Sequence, residues 1–442
     1  VANASFPRMM EAQSAVIHFD KGLAFKRQVH IKKITLNAPK LSLERLPDGK
    51  WNWQAAFFDR RTESSTVGFD SLLMTDATVE VKPDKYTPVE VWQKMNAELL
   101  ADSATGPFFF EGSVAAGNTS FGFSFKADRF AKGESPDVSL RVVNAPAEAT
   151  FVFSGKYGLG DKDKGDVTGN LSFDVRKPEA LFALVSAQKL PAALFQPVVG
   201  SLKVKKVAAL RENTLSDFLF KYGGTSASGT VKIKTLSPEE AGARQSKEEE
   251  DADLDLILRD PNNPSQAVKI DDTPAAQTRV AEFLMPKEYT ASFVFTKFAG
   301  DVFFDNMTQI ADALASSGYF SKTKNKLSAD ITIDAAEYKN NIIRRLKVTA
   351  ESADKGVRFK NLSALLPGDA QVDGNGLLSL VKTPEFDAQL SVKGENLGNL
   401  LRWLNVPVDK NVPDALLRAL DVSGALKLSH GGFVVNKLSA KI

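Results

Sequence analysis

The sequence predicts an all-β, mainly antiparallel protein with a few short helices. Three observations carry that expectation. Apolar residues recur at every second position in short runs; each run is bounded within a few residues by Gly, Asp, Asn or Pro; and thirty of the forty aromatic residues are phenylalanine. Successive side chains of a strand point to opposite faces, so such runs have one apolar and one wet face. The turn residues between them are the punctuation of hairpins. Phenylalanine adds apolar area without a hydroxyl or indole N–H to satisfy, which favours a dry, strictly apolar surface.

In chain order, Ile34-x-Leu36, Leu41-x-Leu43 and Val79-x-Val81 are the first runs. Pro88 to Ala101 predicts a helix, because Val91, Met95, Leu99 and Leu100 fall at helical spacing behind a proline suited to a first turn. In FFFEGSVAAGNTSFGFSFKADRF (108–130), Phe121, Phe123 and Phe125 share one side of a strand, with Gly122 and Ser124 on the other, a pattern that by itself suits half of a sandwich core more often than the lining of an apolar groove. Val138-x-Leu140-x-Val142, Phe151-x-Phe153 and Leu171-x-Phe173-x-Val175 follow. A helix is expected over Pro178 to Ala187, carrying Leu181, Phe182 and Val185. After Val231-x-Ile233 and Phe293-x-Phe295, another is expected over Asp305 to Ser317, with Ile310, Ala313 and Leu314, stopping at Gly318. Ile331-x-Ile333, Leu346-x-Val348 and Leu390-x-Val392 precede a last helix over Asn396 to Leu404, and Phe433-x-Val435 closes the series. Roughly 20 strands at ordinary spacing result. The helices are too few to cover both faces of a sheet and read as caps on it.

Residues 237–287 differ in kind. SPEEAGARQSKEEEDAD is dense in charge, and RDPNNPSQ and DDTPAAQ are rich in turn residues. Such a segment has little to bury and reads as a solvated, flexible insertion, although Leu254, Leu256 and Leu258 could form one edge strand. It separates an N-terminal part, 1–236, from a C-terminal part, 288–442, of one continuous elongated domain.

The sequence contains few catalytic signals. A net charge of +2 gives no reason to expect a nucleic-acid partner. The absence of cysteine removes disulfides, thiolate chemistry and zinc–thiolate sites. His18, His30 and His430 are scattered, with no paired metal spacing. GGTSASG (223–229) lacks the G-x-S-x-G elbow and reads as a Gly/Ser-rich strand or turn. In YGLGDKDKGD (157–166), Gly158 and Gly160 begin a G-x-G whose third glycine is misplaced. There Lys162 and Lys164 interrupt Asp161, Asp163 and Asp166, and Ser172 stands where a calcium loop needs its glutamate. A charged hairpin turn accounts for the stretch. No catalytic residue, metal ligand or cofactor is expected. No window approaches the roughly 18 consecutive apolar residues of a spanning helix, and a chain that opens at Val1 in mid-pattern is expected to be part of a longer protein.

Three segments together resemble the AsmA family of Gram-negative envelope proteins. ITLNAPKLSLERLPDGKWNWQ (34–54) has an apolar strand, a proline and a second strand, then Asp48-Gly49-Lys50 and Asn52-Trp53. ATFVFSGKYGLGDKDKGDVTGNLSFDVRKPEALFALV is a paired-strand unit closed by a short helix after Lys177-Pro178. LPGDAQVDGNGLLSLVKTPEFDAQLSVKGENLGNLLRWLNV (366–406) carries a helix with Leu400, Leu401 and Trp403. No one motif is specific; their order and recurrence make the likeness, over roughly a third of the chain.

The resemblance implies a curved, extended β-groove of the bridge-like lipid-transfer kind. It implies a periplasmic body, anchored to the inner membrane through an N-terminal segment not present in this chain. It further implies a non-enzymatic function: holding phospholipid acyl chains between inner and outer membrane in support of outer-membrane homeostasis. Expected partners are phospholipids, the two membranes and envelope proteins. The lipid-binding lining would be Phe121, Phe123, Phe125, Phe151, Phe153, Leu171, Phe173, Val175, Val231, Ile233, Phe293, Phe295, Ile331, Ile333, Leu346, Val348, Leu390 and Val392. Two other classes stay open at the level of the residues. One is a periplasmic scaffold or chaperone for outer-membrane protein assembly, whose open β edges receive client strands. The other is an envelope polysaccharide hydrolase with two facing carboxylates.

Overall fold

The structure is a computed structural model and describes residues 8–19, 31–44, 52, 69–82, 90–102, 106–116, 119–130, 135–158, 165–185, 190–208, 210–236, 259–260, 263–267, 287–317, 325–353, 356–380, 383–408, 413, 417–418, 420–429 and 432–441. It is all-β with short helices. The chain forms two compact units, one from Val1–Pro146, Thr150–Gly169 and Leu236–Met285, the other from Ala147–Ala149, Asn170–Thr235 and Pro286–Ile442.

The first unit contains β1 (Met10–Glu11), β2 (Ser14–Phe19), β3 (Ile31–Asn37), β4 (Lys40–Glu44), β5 (Phe69–Lys82), β6 (Glu90–Ala101), β7 (Phe108–Ala116), β8 (Thr119–Ala127), β9 (Asp137–Asn144) and most of β10 (Ala149–Tyr157). Strands β3 and β4 both run parallel to the long β5, Ile31–Asn37 beside Phe69–Thr75 and Lys40–Glu44 beside Thr78–Lys82. Between them the chain turns through Ala38, at φ 45°, and Pro39. That corner is pinned because Ala38 N donates to Thr75 O and Thr78 N to Pro39 O, both at 2.8 Å. Inside it, Asn52 is buried; its Nδ2 donates to Ser42 O at 2.7 Å and its Oδ1 accepts from Glu44 N at 3.3 Å, so a side-chain amide closes the β4 backbone. From β5 onward each strand pairs antiparallel with the next through β9.

Strand β6 corrects a sequence expectation. The described residues of the stretch 88–101 form no helix; Glu90–Ala101 pairs with β5 and β7 along its length. Val91, Met95 and Leu99 are four apart, a spacing that satisfies period 2 as well as period 3.6. The residues that decide are Ala97 and Ala101, buried on the same side as Met95, while Leu100 is exposed on the other.

A β-bulge also lies in that strand, at Lys94 (φ 53°), between the paired positions Gln93 and Asn96. The device recurs at Asp76 in β5, with φ 52° and a register shift beside it. Each bulge exchanges the faces beyond it, so strict alternation cannot be counted across it.

The second unit holds most of β11 (Val167–Val175), then α1 (Pro178–Val185), β12 (Val198–Val207), β13 (Glu212–Tyr222) and β14 (Thr225–Thr235). A two-strand hairpin, β15 (Arg259–Asp260) and β16 (Asn263–Ala267), lies in the 236–285 stretch of the first unit. The rest of the charged segment, including Leu254, Leu256 and Leu258, is outside the described residues. The second unit continues with β17 (Lys287–Ala299), α2 (Gly300–Phe304), α3 (Met307–Ser317), β18 (Lys326–Tyr338), β19 (Asn341–Ala353), β20 (Gly356–Leu366), β21 (Ala370–Ser379) and β22 (Glu385–Gly394). It ends with α4 (Leu397–Trp403), β23 (Leu420–Ser429) and β24 (Gly432–Lys441). Strands β12–β14 and β17 pair antiparallel in sequence order, as do β18–β24. The β17–β18 pair is parallel, which requires a crossover, and α2 and α3 supply it.

The three other expected helices are present as α1, α3 and α4, although α3 starts at Met307 after the separate turn α2. Helix α4 begins where it should: the Asn396 side chain accepts a hydrogen bond from Asn399 N at 3.0 Å. Replacing this cap, Asn396→Ala, should cost about 1 kcal/mol. Thermal melts should then show a drop of about 2–4 °C in the transition of a unit this size.

Candidate apolar binding face

Register defines which side chains share a face. In the second unit one row runs Phe218, Gly229, Phe293, Ile331, Val348, Leu362, Gly374, Leu390, Gly424, each opposite the next on adjoining strands. Two residues towards the ends of β13 and β17, a second row runs Gly200, Phe220, Ala227, Phe295, Ile333, Leu346. On the other side a third runs Val204, Leu215, Val231, Ala291, Ala329, Ala350, Phe359, Gly376, Ala388, Leu426. These three rows contain no polar side chain. Their neighbours on the reverse face are Thr230, Ser292, Asp330, Lys347, Asp373 and Ser391, with Thr349 Oγ1 donating to Asp330 Oδ1 at 2.8 Å.

The three rows cross nine, six and ten strands in turn; with strands about 4.8 Å apart and rows about 6.6 Å apart, they give an apolar area of several hundred Å². That equals or exceeds the largest patch on an ordinary monomer. Its side chains are not sealed in. Among the described residues no phenylalanine is buried, and most of the buried apolar positions are alanine. In a sandwich a facing sheet would cover these rings; here the rings cover one another. Phe173 meets Phe218 at 6.4 Å between centroids, Phe218 meets Phe293 at 5.9 Å, and Phe220 meets Phe295 at 6.2 Å.

One rim of this face is closed. Helices α1, α2 and α4 all begin where strands end at the rim of Tyr222, Ala299 and Gly394. There Phe298 stacks on Phe303 at 4.7 Å, Phe304 meets Tyr338 at 5.2 Å, and Tyr338 meets Trp403 at 6.2 Å. Trp403 Nε1 donates to Tyr338 O at 3.3 Å, which fixes α4 over the strand ends. Phe298, Phe304, Tyr338 and Trp403 pack on a buried cluster of Ile333, Ala336, Ile343 and Ala364. Tyr222 donates its hydroxyl to Leu194 O, and burial pushes its phenol above the ordinary tyrosine value, against a lowering effect of the Gln196 backbone.

The first unit has a face of the same kind. Leu72, Leu99, Phe110, Phe125 and Leu140 lie in one row and Met74, Ala97, Gly112, Phe123 and Val142 in the next, with Val114 opposite Phe121. Leu36, Met74, Ala77, Val79, Met95 and Ala97 form its buried base, and Phe110 and Phe123 meet on it at 5.0 Å. The reverse face carries Glu98, Glu111, Ser124 and Arg141 in a row.

Of the residues expected to line a groove, Val231, Ile233, Phe293, Phe295, Ile331, Ile333, Leu346, Val348, Leu390 and Val392 share the second unit's apolar face. Phe173 joins them through its contact with Phe218, and Leu171 and Val175 share its parity on β11. Ile333 and Val175 differ from the rest in being buried. Phe121, Phe123 and Phe125 share the first unit's face. Phe151 and Phe153 are half-buried on β10, with the Phe153 ring against Gly155 and Gly169. Sequence reasoning missed Phe110, Phe218, Phe220, Phe298, Phe303 and Phe304. The alternation Phe218-Leu-Phe220 was a readable signal; the rings at the closed rim become neighbours only through the topology.

The GGTSASG stretch is the β13–β14 turn and the start of β14, as its composition suggests. Gly158 N donates to Asp166 O at 2.9 Å and Gly165 N to Gly158 O at 3.0 Å, the closing bonds of a hairpin whose tip lies outside the described residues. His18 is on β2; His30 and His430 fall outside. Among the described residues no helix is long and apolar enough to cross a membrane. Comparison with family models, with characterised proteins and with solved structures gives no match for this chain.

Proposed function

We propose that the apolar face of each unit holds lipid acyl chains and that the protein is a non-enzymatic lipid-transfer protein. The observation that carries this reading is the three-row face of the second unit: wide, free of polar side chains, and lined by rings that no second layer buries. Exposing an acyl chain to water costs about 0.8 kcal/mol per CH₂, so two ordinary chains cost on the order of 20 kcal/mol. A transfer protein must offset that cost continuously, and a one-sided β face does so without any reacting group. The resemblance of three segments to the AsmA family supports placing the activity in the envelope, between inner and outer membrane, in support of outer-membrane homeostasis.

The test is photo-crosslinking in cells, one probe at a time, at Phe123, Phe153, Phe173, Phe295, Val348 and Leu390. Ser124, Ser172 and Ser391, immediate neighbours of the opposite parity, serve as controls. Phospholipid adducts at the first set and not the second are expected. Adducts at one position alone would indicate a discrete pocket, and none at all would sink lipid transfer.

A second reading has its own observation. Edge strand β24 exposes Val434, Val435 and Leu438, and β2 exposes Val16, Ile17 and Phe19. A scaffold that receives client strands at open edges would present such residues. Protein adducts at these positions, without lipid adducts on the faces, would favour it.

A further inference from the structure

The rim opposite the helices is different in chemistry. The fourth row of the second unit's face, nearest that rim, reads Lys206, Asn213, Ile233, Tyr289, Leu327 across β12, β13, β14, β17 and β18. One step further out, Thr235 stands opposite Lys287. Lys206 and Lys287 are the only charged residues that register places on this face of β12–β14 and β17–β23. Both are exposed, and their partners on β13 and β14 are Asn213 and Thr235 rather than carboxylates. Carboxylates nearby belong to the other side. Glu212 pairs with Lys232, and Glu288 has the outward parity of Lys234. Further along the same rim the inward positions are Ser352, Val357, Leu378, Phe386 and Leu428, with no cation.

The two lysines therefore flank one sector, β12 to β17. Beneath that sector lie Leu215 and Val231, then Phe218 and Phe293, then Phe220 and Phe295, and finally the closed rim at Phe298 and Phe303. From the Lys206 row to the Phe298 row is about four steps of two residues, or about 26 Å. An acyl chain spans about half of a 30 Å hydrocarbon core, so a whole chain fits along the strands with its head still at the lysines. Lysine at the mouth and aromatic rings at the floor make the sector polar at one end only.

Resting on the lipid-transfer reading, the geometry points to an oriented site for an anionic amphiphile in the second unit. Its phosphate sits between Lys206 and Lys287 with Asn213 beside it, and its chains run along the strands towards Phe298 and Trp403. The ammonium groups supply charge-assisted hydrogen bonds to phosphate oxygens. A zwitterionic head gains less, because its own cation lies beside the same lysines. The head-group preference is electrostatic and weakens with salt, whereas chain burial is not.

Binding of didecanoyl phosphatidylglycerol and didecanoyl phosphatidylcholine to the 442-residue chain, followed by native mass spectrometry and calorimetry, tests the class. Phosphatidylglycerol should bind about tenfold more tightly at low salt, and K206E/K287E should remove that preference with the melting temperature unchanged. K206R/K287R should retain it. Orientation is tested on a protein with Trp51, Trp53 and Trp92 replaced by Phe, leaving Trp403. Phosphatidylglycerol brominated near the chain terminus should quench its fluorescence more than the same lipid brominated near the carbonyl. Equal binding of both lipids, or a preference indifferent to charge reversal, overturns the oriented anionic site and leaves the apolar face standing. Stronger quenching by the head-proximal bromine overturns the orientation. Failure of both lipids to bind overturns the lipid reading itself, and this inference with it.

Discussion

Ile333→Asp should leave the second unit unfolded, while Phe293→Asp, one strand away on the same face, should leave it folded and unable to hold lipid. Ile333 is 5% exposed and belongs to a buried cluster with Ala336, Ile343 and Ala364, against which Phe295, Phe304 and Trp403 pack. A carboxylate there has no cation to meet, and an unpaired buried charge costs about 3–5 kcal/mol, a large part of a domain's stability. Phe293 is only half-buried, touching Phe218 and Phe295 at ring distances of 5.9 and 6.3 Å. Its replacement loses those contacts, about 1–2 kcal/mol, but the new carboxylate stays hydrated. Phe173→Asp should behave likewise; Phe123→Asp and Phe295→Asp should lose somewhat more, since both rings pack on buried clusters. Thermal melts paired with phospholipid co-purification decide the matter. Collapse of Phe293→Asp together with Ile333→Asp would mean that the face is sealed, and an open lipid-holding surface would be untenable.

That contrast was only half legible in the sequence. Period-2 alternation identifies the strands and assigns ten of the expected lining residues to one face of the second unit, because the paired strands put Val231, Phe293, Ile331, Val348 and Leu390 in register. What alternation cannot convey is depth. Ile331 and Ile333 look alike in sequence, yet Ile333 belongs to the buried cluster while Ile331 is only half-buried against it. Nor can alternation be carried through bulges. Asp217, at φ 50° in β13, separates Leu215 from Phe218 by three residues, although both face inward, and Arg345 interrupts β19 between Ile343 and Leu346 in the same way. Charged residues stand at all four of these shifts, Asp76, Lys94, Asp217 and Arg345, each at φ near 50° within its strand. At Pro88 to Ala101 a bulge and a four-residue apolar spacing together imitated a helix. The cations at the open rim were invisible for another reason: Lys206 and Lys287 are 81 positions apart in the numbering and meet one sector only through β13 and β14.

Gly229→Ala should be a costly single-methyl addition, and it tests how the face is built. A Cβ at Gly229 would lie 2.3 Å from Ser292 O and 2.5 Å from Phe293 Cδ1, closer than real side-chain carbons approach. The ring can swing aside, but the carbonyl belongs to the ladder between β14 and β17 and cannot move without breaking it. A loss of about 3 kcal/mol is expected, at the upper end of overpacking costs, equivalent to about 6–12 °C in melting temperature. In a Phe293→Ala background the ring clash is gone while the carbonyl clash stays, so the glycine substitution should remain costly there. If Gly229→Ala became neutral in that background, the ring alone would demand the glycine. The pairing of large with small recurs along the face: Phe220 stands between Gly200 and Ala227, and Leu390 between Gly374 and Gly424. Rings that recline over glycines on the next strand tile a single layer without a second sheet to pack against. A retained backbone carbonyl clash would therefore place the origin of that tiling in strand spacing, and would make the glycines, as much as the phenylalanines, the residues that keep the face both apolar and open.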